Sequence, residues 1–277
     1  MITAIASPFE APVAPGILCV ILDASADSDL QARIEQAVAD GSARCVPLFD
    51  DTPYARLQTA GPFALLLPSL GAWTEYASAL LERTPAGCVA YLRDEPSFAK
   101  AIAHWRCVLT VRTDNSCTRL LRFFDPRWLE PLLNSLNEPE RLQFMGPVTH
   151  LAWRNEMGWR HFANPRPDVD AEIQAPGWLH LSQTRQDLMD QLRLKVLAER
   201  FAQAYQTVLP MPEPVEFVFR QLLAARQTGY LRVLEQERWL RLALIQGDDF
   251  WSRSPAAEWL ARDDLGLGEK LSELERL

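Results

Sequence analysis

The hydrophobic period of this chain changes at a proline-rich break. From Gly16 to about Arg122, short apolar runs alternate with segments whose apolar residues fall three or four apart. Beyond "NPRPDVDAEIQAPG" (164–177) only the three-to-four spacing remains. Side chains alternate across a strand and recur every ~3.6 residues around a helix, so the first pattern demands strands with helices and the second demands helices alone. The break has three prolines, one glycine and no sustained period, which is the composition of a connection. The predicted division is a lobe over 16–163, a linker over 164–180 and a helical lobe over 181–277.

In the first lobe, "ILCVILDA", "RCVPLF", "FALLLP" and "CVAYLR" read as strands. Between them, Asp27–Ala39 carries Leu30, Ile34 and Val38 on one helical face, and Gly41 stops it. "SLGAWTEYASALLERT" puts Leu70, Trp73, Ala77, Leu80 and Leu81 on one stripe. Alternation of this kind points to an α/β lobe. Two hairpins are also predicted, one joining Cys107–Val111 to Thr118–Phe123 around "TDNS", the other joining "VTHLAWR" to "GWRHF" around Asn155 and Glu156. The expected fold class is therefore α+β or α/β: a mixed β-sheet flanked by helices, then an all-helical lobe.

The helical lobe opens with Leu194, Leu197, Phe201, Ala204 or Tyr205, and Val208, and ends that stripe at Pro210, Pro212 and Pro214. Val218, Leu222 and Ala225 repeat it, Gly229 interrupts it, and Tyr230–Gln246 resumes it before Gly247 at a C-cap position. Ser254 and Pro255 read as an N-cap and first helical residue.

Charge narrows the function. Lys plus Arg number 28 against 36 Asp plus Glu, a net charge of −8, with no basic run to displace counterions from phosphates, so nucleic acid is set aside. The longest apolar stretch, "FALLLPSLGAW", is far short of the ~20 residues that span a bilayer, so membrane insertion is not expected. "MITAIASPFEAPVAPG" lacks the basic residues of a secretory signal. Cys19, Cys45, Cys88, Cys107 and Cys117, each beside or within an apolar, strand-like run, form no C-x-x-C and read as free buried thiols in a reducing compartment. The missing secretory signal and the missing membrane span together predict a cytoplasmic protein.

"LLRFFDPRWLEPLL" (120–133) brings Arg122, Asp125 and Arg127 together between two apolar runs. Asp125 precedes Pro126, which suits a first helical position, so its carboxylate is placed to cap the first turn. The competing reading is a hydrolase or transferase with Asp125 as base and Arg122 and Arg127 as anion clamps. No nucleophile accompanies them at a recognisable spacing. His104, His150, His161 and His180 stand apart from one another, and no phosphate loop, dinucleotide turn or nucleophile elbow occurs. The paired acids Asp50/Asp51, Asp248/Asp249 and Asp263/Asp264 lie at segment ends, where carboxylates cap helices or face water. No catalytic residue, metal or cofactor is predicted.

"LLRFFDPRWLEPLLNSL" followed by "FMGPV" resembles the strand, helix and glycine-proline turn of the adaptor, or effector-chaperone, family of type VI secretion in Gram-negative bacteria. "ILCVILDAS", "VPLFDDTPYARLQTAGPFALLL", "FAKAIAHWRCVLTV", "LLAARQTGY" and "LIQGDDFW" are similar to further family segments in the same order, over roughly Ile17 to Phe250. The family often has Tyr at the place of Phe124 and a smaller aliphatic residue at that of Trp128, and both differences keep the apolar character. The resemblance implies a cytoplasmic, non-enzymatic chaperone that binds a cognate effector and promotes its loading onto the valine-glycine repeat spike. Its structural motif falls on Arg122, Phe123, Asp125, Pro126, Arg127, Gly146 and Pro147. Trp239, Trp251 and Trp259, near helix ends, are the candidate client contacts, because Trp is enriched at interface hot spots. A scaffold subunit of the same machine is the other alternative.

Overall fold

The computed structural model describes residues 1–11, 13–41, 43–67, 71–167, 172–209 and 212–277. Leu70, Pro210 and part of the predicted linker lie outside them. The chain divides into two compact units, 1–190 and 191–277.

The first unit runs β1 (Ile2–Ala4), β2 (Ile17–Asp23), α1 (Leu30–Asp40), β3 (Arg44–Pro47), β4 (Pro62–Leu66), α2 (Ala72–Arg83), β5 (Gly87–Leu92) and α3 (Pro96–Val108). It continues through β6 (Thr110–Thr113), β7 (Thr118–Leu120), α4 (Pro126–Ser135), α5 (Glu138–Met145), β8 (Val148–Asn155), β9 (Gly158–Ala163) and β10 (His180–Leu181). Among the described residues, seven strands form one sheet in the order β1-β9-β8-β5-β2-β4-β3. Every neighbouring pair in it is antiparallel. The smaller sheet, β10-β6-β7, holds the predicted hairpin (Thr110 opposite Leu120) and the parallel pair β10–β6.

The class is thus α+β, and the parallel character read from strand-helix alternation is confined to the small sheet. The reason lies in burial. Cys19 and Ile21 of β2 face one core with Phe98, Trp105, Leu129 and Leu132, while Val20 and Leu22 face another with Leu30, Ile34, Ala77 and Leu80. Helices α3 and α4 cover one side of the sheet and α1 and α2 the other. A strand buried on both faces has no polar alternate, so its sequence looks like that of a parallel strand whatever its direction.

Three local readings change. Cys107 and Val108 finish α3 instead of opening a strand, because the stripe Phe98, Ile102, Trp105, Val108 keeps helical spacing to that point. The linker, read as 164–180, is partly built into the first unit: Gly177 N–H donates to Thr110 O, Arg112 N–H donates to Leu179 O, and His180 pairs with Arg112. Cys117 is exposed in the β6–β7 turn, although Cys19 and Cys88 are fully buried. Burial pushes the Cys88 thiol up to about 12.

Helix α6 (Gln183–Ala204) carries the boundary between the units. The second unit adds α7 (Pro214–Gln227), α8 (Val233–Gln246), α9 (Ala256–Leu260) and α10 (Leu267–Leu274), and no strand occurs among its described residues. Val218, Leu222 and Ala225 are fully buried, as their spacing predicts. Gly247 caps α8 with φ 108°, its N–H donating to Ala243 O. Val208 is exposed in the turn after α6, and α9 starts at Ala256 with Pro255 as its N-cap, one residue later than the sequence suggests.

Candidate functional site: the strand-to-helix joint and its surroundings

Strand β7 ends at Leu120, and the chain turns before α4, with Asp125 N–H donating to Arg122 O at 3.0 Å. Phe123 and Phe124 are both buried, so the alternation expected from a continued strand is lost in the turn. Their rings meet edge to face at 5.7 Å, and Phe123 meets Phe144 of α5 at 6.2 Å.

The turn presents Asp125 to the start of α4 as predicted. Its Oδ1 accepts the backbone N–H of Arg127 at 3.0 Å, while Pro126 fills the first turn where no N–H is needed. The Arg127 side chain folds back on the same carboxylate, with Nε donating to Oδ1 at 2.9 Å and Nη2 to Oδ2 at 2.6 Å. Asp125 is 4% exposed. Its hydrogen bond, ahead of its charge, raises the proton affinity of Arg127 further, and Asp23 acts in the same direction.

Arg122 points elsewhere. Its Nη2 donates to Asp23 Oδ2, and its guanidinium lies over the Phe124 ring at 5.5 Å. Asp23, at the end of β2, is itself buried and accepts from the backbone N–H (3.0 Å) and hydroxyl (2.8 Å) of Ser25. The joint is therefore two buried aspartates, each paired with a half-exposed arginine. Asp23 is the member that no local motif around Arg122 reveals. The sequence signal for it is the aspartate that follows the apolar run in "ILCVILDAS".

Gly146 and Pro147 serve a neighbouring junction. His104 of α3 is buried and donates from Nε2 to Phe144 O at 2.8 Å, and burial holds its pKa below the ordinary 6.5. Gly146 follows at φ 52°, ψ −126°, where a Cβ would sit 2.7 Å from the His104 ring. Only glycine fits that conformation and that approach. Pro147, half-buried, leads into β8.

The three tryptophans separate. Trp239 is fully buried against Tyr230 (5.5 Å) and Phe250 (4.9 Å) in the core of the second unit. Its indole offers no surface to a client, and its place is corrected from contact to core. Trp251 and Trp259 are half-buried. Trp259 lines an open groove of about 440 Å³ with Leu265, Arg262 and Arg276, and the Arg262 guanidinium stacks on it at 4.9 Å. Among the described residues, no group of three or more His, Cys, Asp or Glu is arranged to hold a metal ion, and no helix is long and apolar enough to cross a membrane.

Residues 18–143 match the model of a family described as a domain of unknown function, DUF4123. The matched stretch runs from β2 into α5 and contains Asp23, Arg122, Asp125 and Arg127, and it ends just before Gly146 and Pro147. No curated protein and no solved structure matches the chain.

Proposed function

We propose that the chain is a cytoplasmic, non-enzymatic adaptor of type VI secretion, which binds a cognate effector and promotes its loading onto the valine-glycine repeat spike. The observation that carries this reading is the family match over 18–143, the stretch that also bears the adaptor-like "ILCVILDAS" and "LLRFFDPRWLEPLL". The joint's geometry agrees with it. Both oxygens of Asp125 are taken by Arg127, and Asp23 is taken by Arg122 and Ser25, so these carboxylates fasten a turn in place and leave no base facing solvent. The half-buried Trp259 in its groove, with Arg262 stacked on it, supplies an aromatic and arginine pair of the type enriched at binding hot spots.

The test is co-expression with the effector encoded beside it and with the spike, followed by co-purification in EDTA without nucleotide. A stable complex with the effector, and spike loading that depends on this chain, are expected. The reading fails if neither partner is retained, or if the purified chain turns over a substrate through Asp125.

A further inference from the structure

His150 of β8 and His161 of β9 stack face to face, with ring centroids 5.1 Å apart and planes 13° from parallel. His150 Nδ1 and His161 Nε2 are both buried and without a partner. Around them stand Tyr91 of β5, edge-on to His150 at 6.3 Å, Thr3 of β1, whose hydroxyl lies 3.5 Å from His161 Nδ1, and the Met1 amino group. No carboxylate pairs with either ring among the described residues. Glu82 of α2 is engaged by Trp159 Nε1 and Arg154, and Glu10 is exposed.

The same face is crossed by a strap. β1 pairs with β9 through Ile2, Thr3 and Ala4, opposite Phe162, His161 and Arg160. Ile5 N–H then donates to Trp159 O at 3.1 Å, and Phe9 meets the Trp159 ring edge to face at 5.9 Å. Tyr91 fastens the far end, its hydroxyl donating to Pro8 O and accepting from Val13 N–H.

We propose that the His150–His161 stack is an acid-released clasp: when both rings take a proton, the strap formed by β1 and residues 5–9 lifts from β9. Protonation places like charges face to face and puts N–H groups on two buried nitrogens that have no acceptor. β8 is ladder-bonded to β5 and β9 on its two sides, whereas β1 is an edge strand of three residues, so the β1–β9 ladder yields first. Burial already lowers the pKa of both rings, and His150 and the Met1 amino group lower that of His161 further, which keeps the clasp neutral and closed above the ordinary histidine range. Release bares the β9 edge, Gly158–Ala163, to a strand of another chain.

Hydrogen exchange of the full chain at pH 7.5 and 5.0, corrected for intrinsic rates, tests this. Residues 2–9 are expected to lose protection at least tenfold at the lower pH while β2 and β5 keep theirs. The variant carrying His150→Gln and His161→Gln is expected to stay protected at both. The proposal is overturned if strap protection is independent of pH, or if it is lost equally in the variant. NMR titration of the wild type covers a variant that does not fold. Both rings should titrate below 6.5 with the β1 amides shifting in step, and β1 amides that stay put through the ring titration overturn the proposal.

Discussion

The guanidinium of Arg122 donates to the carboxylate of Asp23 across 99 residues of sequence, tying the turn before α4 to the end of β2, an interior strand of the large sheet. Asp125 and Arg127 make a second pair within the same turn. The first pair fixes where the turn sits on the sheet, and the second fixes how the helix leaves it.

The long-range pair predicts coupling. Arg122→Ala leaves Asp23 buried with Ser25 as its remaining donor, while Asp23→Ala with Arg122→Ala removes both charges. A double-mutant cycle by chemical denaturation should give a favourable coupling of roughly 0.5 to 3 kcal/mol, towards the lower end because Arg122 is half-exposed. Additive single effects would show that the pair is incidental.

Asp125→Ala should destabilise the protein by about 0.5 to 2 kcal/mol through the lost N-cap, with client binding reduced only through that loss. Asp125→Asn keeps a capping oxygen and gives up only the ion pairing with Arg127, so it should cost less. Comparing the two midpoints separates cap from ion pair. A stable Asp125→Ala variant that no longer binds its client would place the residue in the interface.

Gly146→Ala should destabilise by roughly 1 to 3 kcal/mol, since it forces a side chain into positive φ and towards the His104 ring. A thermal shift of several degrees downward is the expected readout. An unchanged melting temperature would mean that α3 and α5 separate easily.

The strands β2, β4 and β5 were legible because continuous apolar runs bounded by turn residues have few other solutions. Their direction was not, since two buried faces erase the alternation that marks antiparallel pairing. β1 and β10 were invisible for a different reason: segments of three and two residues carry no period, and they exist because β9 and β6 offer them an edge. The cap at Asp125 was readable, being local chemistry between adjacent residues. The partner of Arg122 was not readable from that stretch, because only the fold brings Asp23 to it. Trp239 shows the limit of composition: a tryptophan near a helix end can be the centre of a core.

Trp239→Ala should cost about 3 to 5 kcal/mol, the usual consequence of emptying a buried aromatic site. Trp259→Ala removes a half-buried ring and should cost no more than about 1 to 2 kcal/mol of stability. If its groove receives the client, affinity should fall tenfold or more, which titration calorimetry against the co-purified effector would read. Unchanged affinity in a stable Trp259→Ala variant would move the client site elsewhere.

Stability should also fall as the solution is acidified, for a reason located at His104. Its ring is 2% exposed and held neutral by burial, so it takes up a proton less readily in the folded chain than at its ordinary pKa of 6.5 in the unfolded one. Below 6.5 the unfolded state therefore binds the extra proton. Stability is complete above that pH and is lost as pH falls towards the folded pKa, by up to about 1.4 kcal/mol per pH unit for one ring. His150 and His161 are shifted in the same direction and add to the slope. His104→Gln can still donate to Phe144 O but carries no titrating group, so its denaturation free energy between pH 7.5 and 5 should lose one proton's worth of slope and keep the rest. Parallel curves for the variant and the wild type would mean that His104 is protonated in the folded chain at the same pH as in water.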